Sequence, residues 1–165
     1  MNTISDGDFV RFQRFIYDAA GITLTPAKKA LVCGRLSKRL QANRLDGFGA
    51  YFELLSSGRA SDEVQTAVDL LTTNETYFFR EPKHFALLRE LATLARGRPQ
   101  PFRVWSAASS SGEECYSIAM VLKELAPSHP GVRCTLLATD VNDEMLQRTR
   151  DGRYSQLSSC FDGSR

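Results

Sequence analysis

The first part of the chain has apolar residues at the spacing of one helix face. The first set consists of Phe9, Phe12, Ile16 and Ala19. Residues three and four positions apart lie on the same side of a helix, so this pattern predicts a short amphipathic helix from Asp8. Gly21 follows at the position where a left-handed cap residue is favoured, and we expect the helix to end there.

A second helix is predicted in TPAKKALVCGRLSKRLQANR. Thr25 is expected to cap its first free amides, and Pro26 suits its first turn. Its apolar stripe consists of Leu31, Leu36 and Leu40. Its other side is basic and carries Lys28, Lys29, Arg35, Lys38, Arg39 and Arg44. The pattern therefore predicts an amphipathic helix with a strongly positive outer face.

Three more helices are predicted before the pattern changes. One spans roughly Ala50–Leu55, and the next begins at the expected cap Ser61 and ends near Leu71. Its apolar side consists of Val64, Ala67, Val68 and Leu71. A further helix starts near Pro82 and ends at Gly97. The residues expected to be buried on that helix are Phe85, Leu88 and Leu91, with His84 on the exposed side.

The second part of the chain has the pattern of a β-α-β unit. PFRVWSAAS and VRCTLLATD read as buried strands, and GEECYSIAMVLKEL between them has helical period. One more helix, NDEMLQRTRDG, has Asn142 as its expected cap. We therefore predict a helical domain at residues 1–71, a linker segment and helix at 72–97, and the first part of an α/β domain at 98–165.

Aromatic residues are expected in two buried settings. Trp105 is predicted to lie in the core beneath its strand. Tyr77, Phe78 and Phe79 follow one another directly, and we expect at least two of them to pack between the helical domain and the sheet.

Composition narrows the class of protein. The chain has 165 residues, of which 42% are hydrophobic and 24% charged, as in globular proteins. A net charge of +2 is low for a nucleic-acid-binding domain. The four cysteines, Cys33, Cys115, Cys134 and Cys160, form no CxxC pair, and neither His84 nor His129 has ligand spacing to them. We expect reduced thiols, no metal site and a cytoplasmic protein, with no membrane insertion because no apolar run approaches about 20 residues.

The junctions of the β-α-β unit carry the candidate chemistry. The loop SAASSSGEE, Ser106 to Glu114, has little side chain, and Asp140 ends the second strand, where a carboxylate can accept bonds from ribose hydroxyls. The loop lacks GxGxxG, and Glu113 and Glu114 would repel a pyrophosphate. A cofactor with positive charge, such as S-adenosylmethionine, suits this site. The alternative is a structural β-α-β unit whose glutamates only complement the helix dipole.

Three motifs together resemble a known family. TTNETYFFRE, RVWSAASSSGEECYSIAMVL and LLATDVNDEMLQRTRDGRYS are similar to those of the CheR-type chemotaxis receptor methyltransferases, which are S-adenosylmethionine-dependent protein-glutamate O-methyltransferases. The resemblance extends from Phe9 to Ser155. It implies an all-helical N-terminal domain followed by an incomplete, Rossmann-like methyltransferase domain.

The resemblance also implies roles for individual residues. Asn74, Thr76 and Arg80 would contact the cofactor, as would Glu114, and Asp140 would hold the adenosine ribose. Separately from the resemblance, we hypothesise that Arg80, or another group, helps to orient the substrate carboxylate, which makes Arg80 the candidate catalytic residue. No metal is implied, and the product cofactor would be S-adenosylhomocysteine.

The basic helix face is the candidate partner surface. The resemblance implies that this domain recognises the cytoplasmic methylation helices of chemotaxis receptors, and the candidate contacts are Lys28, Arg35, Lys38 and Arg39. We expect a monomer that binds no nucleic acid. Two alternatives remain: a basic face that is merely solvated, and a small helical nucleic-acid binder.

The end of the chain departs from the family pattern. The sequence stops at LSSCFDGSR, where a family member would continue into further strands and later cofactor-contacting positions. Cys115 also replaces the proline that follows GEE in the family, a change expected to cost little because a helix first turn tolerates small residues. We therefore expect a C-terminally truncated methyltransferase that binds its cofactor weakly and turns over poorly. The alternative is a non-catalytic remnant that keeps cofactor or partner binding.

Overall fold

The computed structural model describes residues 3–127 and 133–155. The chain divides into two compact units, one ending at Thr73 and the other beginning at Asn74. The finer division at 71 and 97 predicted from the sequence stays a prediction. His129 and Cys160, which entered the argument against a metal site, lie outside the described residues.

The first unit is all helical. Its elements are α1 (Asp6–Ala20), a 3-10 turn (Pro26–Lys28), α2 (Lys29–Ala42), α3 (Phe48–Ser56) and α4 (Ser61–Leu71). Ser5 caps α1 by accepting from the Asp8 amide, and Gly21 ends the helix with a φ of 68°, as expected for a left-handed cap. Neither Thr25 nor Ser61 makes the predicted cap bond. Thr25 instead precedes the 3-10 turn, and Ser61 lies inside the first turn of α4.

The core of this unit forms around Phe12, which is fully buried. Its ring makes edge contacts with Phe48 and Phe52 and stacks on Tyr51, with centroids 5.6–6.3 Å apart. Two predicted core positions are wrong in detail. Ala19 is exposed, because the stripe on α1 continues to Ala20. Leu31 is half-buried, and the buried stripe of α2 is Val32, Leu36 and Leu40.

A polar network joins three helices of the first unit. Arg39 on α2 donates from Nε and Nη2 to the two carboxylate oxygens of Glu63 on α4, at 2.9 and 2.5 Å. The hydroxyl of the fully buried Tyr51 on α3 donates to the same carboxylate at 2.7 Å. These bonds hold the pKa of Glu63 below its usual value, with Arg39 as the largest cause. Burial and the adjacent carboxylate raise the pKa of Tyr51, so its hydroxyl stays a donor.

The second unit is built on a parallel pair of strands. Its elements are α5 (Pro82–Leu94), β1 (Phe102–Ala107), α6 (Glu113–Leu125), β2 (Cys134–Thr139) and α7 (Asp143–Asp151). β1 and β2 pair from Phe102↔Cys134 to Ala107↔Thr139. Asn142 caps α7 by accepting from the Met145 amide, as predicted. None of the helices in the described ranges is long and apolar enough to cross a bilayer.

Only one face of this sheet is covered by the described residues. Val104 and Leu136 pack with α5 and α6 around the buried Leu88 and Ile118. Trp105 points to the other face and is 66% exposed, so the prediction that it lies in the core is wrong. Side chains alternate along a strand, and the burial of alternate residues depends on a second layer that a strand's own pattern does not specify.

The covered face of α5 also differs from the prediction. Leu91 is exposed, and Ala92 is buried in its place beside Phe85 and Leu88. Ala92 lies closer than Leu91 to the middle of the helix face that Phe85 and Leu88 define. His84 is exposed, as predicted.

Candidate functional site

The loop between β1 and α6 has an unusual backbone. Ala108 and Ser110 have positive φ values of 56° and 49°, and Gly112 has a φ of 97°. A Cβ atom on Gly112 would lie 2.7 Å from both Thr149 and the Tyr154 hydroxyl. The loop therefore needs glycine at position 112 for its conformation and for the close approach of its neighbours.

Asp140 fixes this loop to the end of β2. Its two carboxylate oxygens accept from the Ser110 amide at 2.7 Å and from the Asn142 amide at 2.9 Å. The Ser109 amide also donates to the Thr139 carbonyl at 2.9 Å. Asp140 is half-buried, and each of its oxygens retains capacity for a further hydrogen bond.

The segment from Asn74 reaches the same loop. The hydroxyl of the buried Ser110 donates to the Asn74 carbonyl at 3.1 Å. Ser110 thus bonds to Asn74 through its side chain and to Asp140 through its amide. The structure therefore brings together Asn74, the small-residue loop and Asp140, which come from the three separate sequence motifs.

Thr76 and Arg80 have different settings. Thr76 is half-buried. Arg80 is exposed, donates from Nη1 to the Glu75 carbonyl at 2.8 Å, and has its guanidinium carbon 5.9 Å from the centroid of the Tyr77 ring. The arginine is thereby held against its own segment.

The aromatic residues of this segment contact the second unit. Phe79 packs edge-on against Phe85, and Phe78 packs edge-on against Tyr154. Tyr77 is 43% exposed. These two ring contacts are made within the second unit, and packing of the aromatic residues between the helical domain and the sheet stays a prediction.

Phe79 also has a strained backbone, with a φ of 58°. A bulky side chain rarely adopts this conformation, which costs about 1–3 kcal/mol. Its amide donates to the hydroxyl of the buried Ser117 at 3.0 Å, and that hydroxyl donates to the Glu113 carbonyl at 2.7 Å. Ser117 therefore connects α6 to the segment before α5. Its position on the apolar face of α6 is the sequence signal that it needs a partner.

Glu114 lies at the edge of a cleft in the second unit. Its Oε1 accepts from the Ser106 hydroxyl at 2.6 Å, and the residue is otherwise exposed. The cleft has a volume of about 160 Å³ and is lined by His84, Phe85, Leu88, Val104, Glu114 and Ile118. It therefore combines an apolar floor with an acidic rim. Burial raises the pKa of the neighbouring Cys115 thiol, so this buried side chain stays neutral.

The four basic residues of the candidate partner surface are not equivalent. Lys28 and Lys38 are exposed. Arg35 is half-buried and donates from Nη1 to the carbonyls of Leu71 and Thr72, at 3.2 and 2.8 Å, at the C-terminus of α4. Arg39 belongs to the network around Glu63. Arg35 and Arg39 thus have structural roles in the first unit, and a role in binding a partner stays a prediction for all four.

The donors and acceptors of the site fit S-adenosylmethionine in type. Asp140 is a fixed acceptor suited to a diol, the loop offers close backbone approach, and Glu114 offers negative charge for an ammonium or sulfonium group. Pockets for whole ligands have volumes of about 300–1,000 Å³. The cleft beside Glu114 is smaller, so it accommodates only part of such a cofactor. In the described ranges, no three His, Cys, Asp or Glu side chains gather as a metal site.

Two family models together match most of the chain. Residues 7–72 match the family model described as CheR methyltransferase, all-alpha domain, and residues 74–159 match CheR methyltransferase, SAM binding domain. The chain is 46% identical over 151 residues to the chemotaxis protein methyltransferase of Escherichia coli (strain K12), covering 92% of this chain and 51% of that protein. It is 44% identical to that of Salmonella typhimurium, with the same coverage.

More distant relatives have the same name. Chemotaxis protein methyltransferase 1 of Vibrio cholerae is 38% identical over 160 residues, covering 94% of this chain and 58% of that protein. The chain spans about half the length of the curated relatives it matches. The predicted fold class, a helical domain followed by part of a methyltransferase domain, is confirmed. The chain belongs to the CheR methyltransferase family.

Proposed function

We propose that the protein transfers a methyl group from S-adenosylmethionine to glutamate side chains of methyl-accepting chemotaxis receptors, as part of adaptation in chemotaxis. The observation that supports this most directly is the convergence of Asn74, the 106–114 loop and Asp140 through the bonds of Ser110. The family and the names of the relatives supply the reaction and the substrate class. The proposal includes a monomeric protein in the cytoplasm, where it can reach many receptors in turn.

The chemistry of this transfer is simple. When bound, S-adenosylmethionine supplies an electrophilic methyl group, whose S–C bond breaks as a glutamate carboxylate oxygen forms the new O–C bond and the thioether leaves with the electron pair. The nucleophile is already ionised at neutral pH. The task of the protein is therefore alignment and the exclusion of water.

In the proposal each site residue has its own role in binding or alignment. Asp140 accepts from the ribose hydroxyls, and Asn74 and Thr76 offer neutral polar contacts. Glu114 lies where it can attract the positive end of the cofactor. Arg80, which is exposed, pairs with the incoming glutamate carboxylate and holds it in line.

A methyl-transfer assay tests the function. The purified protein is given S-adenosylmethionine with a labelled methyl group and receptor cytoplasmic fragments that carry glutamate at the methylation positions. We expect base-labile label in the receptor, as for a methyl ester. Fragments with alanine at those positions are the control, and equal label in both would contradict the proposal.

A second candidate function is cofactor or partner binding without catalysis. The observation that favours it is the small cleft beside Glu114, which holds only part of a cofactor. Calorimetry with S-adenosylhomocysteine separates the candidates. Stoichiometric binding without methyl transfer would support the non-catalytic role, whereas binding together with transfer supports the enzyme.

Replacement of Gly112 by alanine is expected to weaken the binding of S-adenosylhomocysteine by about tenfold. The new Cβ would lie 2.7 Å from Thr149 and Tyr154. The alanine would also have to adopt the φ of 97° of this position, which strains any residue other than glycine. Calorimetry gives the affinity. Gly97→Ala is the matched control, because Gly97 also has a positive φ, 76°, but has nothing within 4 Å of its added Cβ. Equal losses in the two variants would attribute the effect to backbone strain alone.

Charge reversal on α2 and the preceding turn is expected to affect the receptor substrate and not the cofactor. We expect the double variant Lys28→Glu/Lys38→Glu to raise the KM for receptor fragments about tenfold at low salt, because both lysines are exposed and the family resemblance implies acidic methylation helices in the receptor. Lys28 also lies at the rim of a groove of about 300 Å³ with apolar walls from Ile22, Leu24 and Leu31. The expected affinity for S-adenosylhomocysteine is unchanged.

The control for this experiment is Lys83→Glu/Lys123→Glu, which makes the same change in net charge on exposed residues of the second unit. A similar rise in KM for both double variants would show that only total charge matters and would remove the specific surface. Arg35 and Arg39 are unsuitable for this test, because their reversal would also break the bonds to Leu71, Thr72 and Glu63.

A further inference from the structure

The loop of residues 106–114, called the cofactor loop below, is held in its strained conformation by one residue of α7 and one residue that follows α7. Thr149 on α7 donates its hydroxyl proton jointly to the Ser110 carbonyl and to the Met145 carbonyl of its own helix, both at 3.0 Å. Tyr154, three residues after the end of α7, donates from its hydroxyl to the Ser111 carbonyl at 2.6 Å. Non-glycine residues in the left-handed region persist only when neighbours over-determine them. These two bonds fix consecutive carbonyls of the loop where the backbone is strained.

The ring of Tyr154 is itself fixed from two sides. It makes an edge contact with Phe78, with centroids 5.0 Å apart and an interplanar angle of 80°. It makes a second edge contact with Tyr116 on α6, at 5.5 Å and 71°. The Tyr116 hydroxyl in turn donates to the Thr149 carbonyl at 3.0 Å. Tyr154 is therefore positioned by the segment before α5 and by α6. Through its hydroxyl it fixes the loop relative to both.

The hydroxyl of Tyr154 is a dependable donor. Burial, and then the nearby Glu113 carboxylate, raise the pKa of Tyr154 to about 12. The group therefore stays protonated throughout the neutral range. The close approach of this hydroxyl to Gly112 also explains why no side chain fits at that glycine.

We propose that Tyr154 is a positioning residue for the cofactor loop: its hydroxyl, bonded to the Ser111 carbonyl, keeps residues 108–112 in the conformation that receives S-adenosylmethionine. The role in methyl transfer rests on the proposed function above. Tyr154 acts through the loop, and its ring connects the Asn74–Arg80 segment to that loop through Phe78. Two parts of the cofactor site, the Asn74–Arg80 segment and the loop, are thereby set relative to each other by a residue that belongs to neither.

The substitution Tyr154→Phe tests this role because it keeps the ring contacts and removes only the hydroxyl. Hydrogen–deuterium exchange of the protein without ligand should be faster at the amides of residues 110–112 by about tenfold, as expected for the loss of one hydrogen bond. Calorimetry should show an affinity for S-adenosylhomocysteine lowered about tenfold. Thr149→Val, which removes the bond to the Ser110 carbonyl, should have the same direction of effect.

Tyr17→Phe is the matched control, because Tyr17 is an exposed tyrosine on α1, and it should change neither measurement. A residue that only fills space would tolerate the loss of its hydroxyl, so unchanged exchange and unchanged affinity in Tyr154→Phe would overturn the proposal. Faster exchange spread over all helices would also overturn it, since that indicates general destabilisation. If the unsubstituted protein does not bind S-adenosylhomocysteine, the proposed function fails, while the exchange rates in the loop still decide the role of Tyr154.

Discussion

Replacement of Asp140 by alanine is expected to lower the affinity for S-adenosylhomocysteine by about 100-fold, or about 2.8 kcal/mol. Hydrogen bonds to a charged group contribute about 1.5–3 kcal/mol each, and the carboxylate is expected to accept two from the ribose. The same carboxylate also holds the Ser110 and Asn142 amides. The substitution therefore removes a ligand contact and a support of the loop together, and calorimetry measures their sum.

A ligand analogue separates these two contributions. The 2′-deoxy analogue of S-adenosylhomocysteine lacks one ribose hydroxyl, and we expect the unsubstituted protein to bind it about tenfold more weakly than the parent compound. Asp140→Ala should discriminate little between the two ligands, as in a double-mutant cycle. Undiminished discrimination would show that Asp140 only supports the loop. Asp18→Asn, a change at an exposed carboxylate on α1, is the control for altered net charge.

Replacement of Glu63 by alanine is expected to lower the free energy of unfolding of the first unit by about 2–3 kcal/mol. Removing one member of a buried ion pair costs about 3–5 kcal/mol, and the side chain of Arg39 is 31% exposed, so we expect a smaller loss here. The buried Tyr51 hydroxyl loses its acceptor as well. Urea unfolding measures the change. Glu53→Ala removes a carboxylate that is 70% exposed and paired with Arg11, and should cost less than about 1 kcal/mol.

The same carboxylate gives this stability a pH dependence. Because the pKa of Glu63 in the folded protein lies below its ordinary value of 4.5, its contribution is complete above about that pH and is lost as the pH falls further. Unfolding curves of the Glu63→Gln variant should therefore depend less on pH below 4.5 than those of the unsubstituted protein. Parallel pH profiles of the two proteins would assign the acid sensitivity to other carboxylates.

Local sequence patterns were sufficient to predict most helices. They were also sufficient to locate the site residues that lie at the ends of strands. The helical stripe of Phe9, Phe12 and Ile16 and the cap at Asn142 depend on neighbours within one turn, and the structure has them as predicted. The 106–114 loop and Asp140 were both predicted at the junctions of the β-α-β unit, and the carboxyl ends of parallel strands meet at the same edge of a sheet. Their direct bond follows from that topology.

Features that depend on distant partners were not predictable in this way. The carbonyls that Arg35 binds are 36 and 37 residues away in sequence, and nothing near Arg35 distinguishes it from the exposed lysines of the basic face. No individual role was predicted for Tyr154, because its bond partner lies 43 residues away in sequence. The strained backbone of Phe79 likewise depends on an amide bond to Ser117, 38 residues later.

The open face of the sheet carries an intrinsic fluorophore. Trp105 is the only tryptophan in the chain, and its indole lies on that face beside Leu137, which is also exposed, with its ring nitrogen bonded to the Thr139 hydroxyl. Indole emission shifts to shorter wavelength when water is displaced from the ring. The natural fluorescence of the protein therefore reports whether that face is wet or covered, without any attached dye, and Trp105 lies in the same strand that leads into the cofactor loop.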